Sequence, residues 1–264
     1  MYLSSVKTEN KYSVLILLSW IIGILPSCQK QLGNESPANA VLEIRFHPQL
    51  DGFPLEYGTT YQLPTGEAFE PRVFKFYAGK ISLQQRNGSL TSTTKDPYYL
   101  LGAASEDELT IRTTIPPGTY SNLEFLLGVD SARNVSGVQS GALDPLKGMF
   151  WTWNSGYIFA KLEGISPSSS VQGNKVEYHV GGFRVPFNAA QAIRLPLAVS
   201  GELELKAGQT CILDIAVTLD NWFTGPYPFS ISDHPVCMTP GELAWNISRN
   251  FSGLFSVTNL SIEE

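Results

Sequence analysis

The sequence predicts an all-β fold: a β-sandwich with long loops and one short C-terminal helix. Three observations carry that expectation. Apolar and polar residues alternate over 41–47, 72–77 and 109–113, the period of a strand with one buried face. Further short strand-like runs recur at 120–128, 149–159, 176–180, 192–197, 201–205 and 211–219. Turn formers punctuate them, as at Asn87-Gly88 and Pro116-Pro117-Gly118. Many short strands with Gly and Pro punctuation belong to a sandwich or barrel. A helical turn or two is expected over 242–255. No repeat and no internal linker divides the body, so residues 41–264 are expected to form one domain.

The N-terminus carries an address. Lys7 and Lys11 precede an apolar run from Val14 to Leu25. That run has the length of a signal-peptide core and is too short for the ~20 helical residues that cross a bilayer. Leu25-Pro26-Ser27-Cys28 follows at once. It resembles the lipobox of bacterial lipoproteins, with an aliphatic residue at −3, a small one at −1 and the cysteine; Pro26 is an unusual −2 residue. The expectation is a signal peptide over 1–27, lipid on Cys28 and a lipidated polar tether over 28–40. Gln29 at +2 favours the outer membrane of a bacterial cell envelope over the inner one. Lipid is then the membrane anchor.

The whole chain has a net charge of −6, and losing Lys7, Lys11 and Glu9 with residues 1–27 leaves −7. An acidic, aromatic-rich body argues against a nucleic-acid partner. With Cys28 given to lipid, Cys211 and Cys237 remain as a pair in an oxidising compartment, and a disulfide between them is expected. Closing a loop of ~25 residues would contribute about 3 kcal/mol on the chain-entropy model.

Enzyme motifs are absent: there is no GxSxG, P-loop, HExxH, dinucleotide glycine fingerprint or CxxC. The expectation is a protein that is not an enzyme; a hydrolase would have only scattered carboxylates behind it. The unusual material lies between Gly128 and Gly182. As a strand, Met149, Trp151 and Trp153 would share one face. A thioether and two indoles make a soft surface that suits Cu(I) if imidazole or sulfur comes near. The same tryptophans also read as ordinary packing. His47 and His179 each end a strand, where sites are commonly built. His234 and Met238 form a second soft cluster around Cys237. Asp130, Asn134 and Asp144 offer hard oxygens compatible with calcium, but not at EF-hand spacing, and turn capping is the competing reading.

An ordered set of residues resembles the MbnP-like family of periplasmic proteins associated with methanobactin systems. It comprises Phe46-His47, then Gly128-Val129-Asp130-Ser131, Asn134, Gly137, Gly141, Leu143-Asp144-Pro145, Met149, Trp151, Trp153, Gly156-Tyr157, Glu163-Gly164, His179 and Gly181-Gly182. The resemblance covers nearly all of the chain after the tether. It implies a β-rich envelope protein whose relatives bind copper through histidines. It further implies a kynurenine, made from tryptophan by a diheme peroxidase-like partner. By matching position, His47 and His179 are the ligand candidates, and Trp151 or Trp153 is the candidate for oxidation. The expected function is copper binding for uptake, storage or delivery. The alternative is a metal-free surface module recognising a protein or glycan through aromatics such as Tyr98, Tyr99, Trp222 and Tyr227.

Overall fold

The computed structural model describes residues 39–93, 97–105, 107–152, 154–197 and 202–264. In chain order its strands begin with β1 (Ala40–Leu50), β2 (Phe53–Pro54), β3 (Tyr61–Gln62) and β4 (Ala68–Gln85). There follow β5 (Leu90–Ser92), β6 (Tyr98–Gly102), β7 (Thr110–Ile115) and β8 (Gly118–Leu127). After helix α1 (Ser131–Asn134) come β9 (Phe150–Thr152), β10 (Gly156–Ile165), β11 (Lys175–Gly181) and β12 (Gln191–Pro196). The chain continues through β13 (Leu203–Leu205), β14 (Thr210–Thr218), α2 (Asp220–Thr224), β15 (Val236–Cys237), α3 (Glu242–Asn250) and β16 (Phe255–Glu263).

These strands form two sheets, as expected of a sandwich. The smaller runs β16-β14-β1-β2, with β7 also on β1; the larger runs β12-β8-β4-β10-β11-β15, with shorter strands on its flanks. In β1 the even positions Leu42, Ile44 and Phe46 are buried. Phe46 meets Phe76 of the larger sheet edge-on at 5.4 Å, and Phe125 and Phe255 close the cluster at 5.2 Å. Such aromatic contacts combine large apolar area with a defined geometry. A second aromatic layer, Tyr178, Trp222, Phe223 and Phe251, anchors α2 and α3 against β11.

Three sequence expectations change. The run 149–159 is not one strand: it breaks into the hairpin β9/β10, because Gly156 turns the chain at φ +75°. The C-terminal helix lies where it was expected, α3 ending at Asn250 with a 3-10 turn to Gly253, but Phe255–Glu263 then adds an unforeseen edge strand to the smaller sheet. The stop has a cause: the buried Asn250 amide donates to Trp222 O and Tyr227 O at 2.9 Å, which pins it to the preceding loop. Third, Cys211 and Cys237 are both free, buried thiols. Cys211 lies on β14 in the smaller sheet, opposite Leu42 of β1, whereas Cys237 lies on β15, opposite Tyr178 at the edge of the larger one. Burial pushes each thiol pKa up to about 11, which leaves both protonated and inert at neutral pH.

Among the described residues no helix is long and apolar enough to cross a membrane. Cys28 and the whole 1–38 segment lie outside the described residues.

Candidate functional site

The outer face of the larger sheet is not bare. Residues 128–156 cross over it between β8 and β10, and the unusual sequence block builds this cover. Asn134, 4% exposed, donates to Val129 O at 2.8 Å and Asp130 O at 2.9 Å, and accepts from Tyr157 N at 2.9 Å. Tyr157 in turn donates its hydroxyl to Leu143 O at 2.7 Å, and Tyr77 donates to Ala142 O at 3.1 Å. The two tyrosine rings meet edge-on at 5.8 Å. Gly156 is required here. A Cβ at that position would lie 2.2 Å from Asn134 Oδ1, at a φ that side chains disfavour.

His179 sits under this cover. Strand alternation fixes its direction: Tyr178 points into the aromatic core, so His179 points out. Register sets Lys161 opposite His179 and Glu163 opposite Glu177. His179 Nε2 donates to Glu163 Oε1 at 2.6 Å, and Lys161 Nζ stands 3.6 Å from the same oxygen. Lys161 Nζ also donates to Gly148 O at 2.9 Å, tying the pair to the cover. The histidine's hydrogen bond, aided by the lysine's charge, holds the Glu163 carboxyl below its usual range.

Trp151 closes the site. It packs over Gly181, where a Cβ would lie 3.0 Å from the indole ring, and Gly181 shares its face of β11 with His179. The Trp151 Nε1–H is buried without a hydrogen-bond partner. A buried donor left unpaired is uncommon and costs roughly 1–3 kcal/mol. Trp222 Nε1 is the other such atom among the described residues, and its ring packs against Tyr178 and Phe251 in the aromatic core.

The remaining sequence candidates are placed as follows. His47 projects from the opposite side of the molecule, because its neighbour Phe46 points at the larger sheet. Its Nε2 donates to Asp214 Oδ1 at 2.8 Å, and its side chain is 57% exposed against 10% for His179. The structure therefore does not bring the two histidines together. Met149 is 1% exposed and belongs to the packed core. Trp153 lies outside the described residues. Asp130 caps α1 through Arg133 N at 2.9 Å and takes Tyr98 OH and Lys80 Nζ, each at 2.6 Å. Burial alone would raise its pKa, but these donors outweigh it and bring the value down to about 2. Asp144 caps the next turn through Leu146 N. With Asn134 bonded within the cover, all three residues of the calcium reading act as local caps and ties. His234 and Met238 are exposed around the buried Cys237. No group of three or more His, Cys, Asp or Glu able to hold a metal occurs among the described residues. Tyr98 and Trp222 are buried, which removes half of the aromatic set behind the surface-module alternative. Glu163 and Lys161 were not singled out in the sequence as partners of His179, because only strand register reveals that contact.

The chain is thus a two-sheet β-sandwich whose glycine- and asparagine-knit cover packs over a histidine–carboxylate pair on one sheet. The model of one family, MbnP, matches residues 39–239, and the chain belongs to the MbnP family. Its fold is similar to that of MbnP from Methylosinus trichosporium, with a TM-score of 0.56 and 16% identity over 85% of this chain and 98% of that one. No curated protein matches the chain.

Proposed function

We propose that this protein is an outer-membrane lipoprotein, anchored through Cys28, that binds copper at His179, and that Trp151 is the tryptophan whose oxidation completes the site. One observation carries the reading: Trp151, its N–H buried and unpartnered, packs over Gly181, two residues along the same face of β11 from His179, the partner of Glu163. A site shared by His47 and His179 does not fit, since the two point from opposite faces of the sandwich. The unmodified His179 site is also short of donors. It offers one imidazole and one carboxylate, and an indole nitrogen is no ligand because its lone pair belongs to the ring.

Oxidation of Trp151 to kynurenine would supply what is missing. Two equivalents of peroxide, delivered by a diheme peroxidase-like partner, each pass one oxygen to the indole and leave as water. The C2–C3 bond is cleaved, and hydrolysis then releases C2 as formate. The products are an arylamine and a ketone on the side chain that packs over Gly181, on the strand face of His179. An imidazole, a carboxylate and an arylamine would hold the metal, with ligand types that suit copper. Lys161 would keep Glu163 ionised and oriented. Bound copper would give the protein a cargo for storage or delivery, with no reaction of its own.

The test measures copper per chain and intact mass on full-length protein made with and without the oxidising partner. The expected result is copper only on oxidised chains, lost in His179→Ala and Trp151→Phe and retained in His47→Ala. Oxidised chains that bind no copper, or loss confined to His47→Ala, would overturn the reading. Incorporation of labelled palmitate, abolished in Cys28→Ser, checks the anchor separately.

A further inference from the structure

The cover has a second flank, facing β6. There a cleft of about 480 Å³ opens between β6 and the 133–147 segment, and it adjoins a second hollow of about 310 Å³. Leu100, Glu108 and Lys147 line both. The combined space falls in the range of small-molecule sites, commonly about 300–1,000 Å³.

Its charges are arranged by wall. Arg133 and Lys147, both exposed, come from the cover. Glu108 comes from the short turn after β6, and its carboxylate lies over Gly102 beside the Lys75 stem. Tyr99 and Leu100, each half-buried, supply apolar surface between them. Among the described residues, no ion pair within 4.0 Å joins Glu108 to Arg133, Lys147 or Lys75. The opposite charges share one hollow without satisfying each other. Arg133 is partly fixed, since its Nη1 donates to Gln139 Oε1 at 3.2 Å.

A ligand carrying only negative charge would meet Glu108, and one carrying only positive charge would meet Arg133 and Lys147. A ligand that carries both charges can meet each wall with its opposite. We infer that this cleft binds a small zwitterion with an apolar body, of the amino-acid or short-peptide class. Its carboxylate lies toward Arg133 and Lys147, its ammonium toward Glu108 and its side chain against Tyr99 and Leu100. The inference does not depend on copper, because none of these residues belongs to the His179 site.

Calorimetric titration of the full-length protein with L-phenylalanine, phenylacetate and phenethylamine tests it. Phenylalanine should bind saturably, and each one-charge analogue should bind at least about tenfold more weakly. Either charge reversal, Lys147→Glu or Glu108→Lys, should weaken phenylalanine binding by at least about tenfold. Both side chains are exposed, so thermal melts should show the variants folded. No saturable binding of phenylalanine would overturn the assignment. So would equal binding of all three probes, or folded reversal variants that bind as the parent does.

Discussion

Two histidine–carboxylate pairs face opposite ways from the same sandwich, His47–Asp214 on the smaller sheet and His179–Glu163 on the larger. The hydrogen bonds are alike, 2.8 and 2.6 Å. Their surroundings are not. His47 stands on an open face beside other charged side chains, where Glu43 takes Arg45 and Arg112 and Asp214 also takes Asn259. Water competes for every such contact. His179 is largely buried, tied through Glu163 and Lys161 to the covering segment at Gly148, with the Trp151 indole over Gly181 on the same strand face. The sheet supplies the pair in both places; the cover shelters only one of them.

That contrast is broken most directly at the glycines. Gly156→Ala would set a methyl 2.2 Å from Asn134 Oδ1 at φ +75°, combining backbone strain with overpacking of the cover. A loss of about 3–4 kcal/mol is expected. Gly208→Ala, in the turn leading into the smaller sheet at φ +81° with no atom within 4 Å, should lose only about 1 kcal/mol. Denaturant midpoints of the two variants measure both. Equal losses would mean that the cover contributes no more rigidity than an ordinary turn.

The histidines come next. His179→Ala leaves a partly buried Glu163 beside Lys161 alone and should cost about 1–2 kcal/mol at neutral pH. His47→Ala should stay within about 0.5 kcal/mol, as for most exposed pairs. The acid limb sharpens the same point. Glu163 is held low by its hydrogen bond from His179. For Asp214, burial alone raises the pKa, but the bonds from Asn259 and His47 outweigh it. Both carboxylates are therefore depressed in the folded state. Each contributes stability that is present above an unfolded value of roughly 4 and is lost as pH falls through its folded one. Glu163→Gln should flatten that acid limb even in roughly 1 M salt, where the screening length is ~3 Å. The flattening in Asp214→Asn should shrink as salt is raised.

Much of this was legible in the sequence, and the residues show where legibility ended. Alternation located β1, β4 and β7, each of which buries one face more than the other. It failed at 149–159, where apolar residues on both sides of Asn154-Ser155-Gly156 read as one strand and concealed the turn that Gly156 makes. The edge strand β16 was hidden because Ser256, Thr258, Asn259 and Ser261 dilute its apolar positions. The Gly128–Gly182 block stood out as unusual, yet sequence could not sort it. Asn134, Gly156 and Gly181 shape the cover, and Glu163 is the partner of His179. Those contacts join residues 16 to 23 positions apart, through register and cover geometry that no local pattern encodes.

The thiols offer the smallest expected effect and the clearest limit on inference from composition. Two cysteines in an oxidising compartment read as a bridge, but compartment governs only whether a bond can persist. Geometry decides whether it can form: Cα atoms beyond about 7 Å cannot be joined without moving the backbone. Cys211 and Cys237 occupy different sheets, and each is packed among apolar neighbours with its thiol held protonated. Reductant should therefore leave the melting temperature unchanged. A thiol reagent should label neither cysteine in the native protein and both after denaturation, on material made in an oxidising compartment. A drop in melting temperature with reductant would show that the two cysteines are bonded in the native protein.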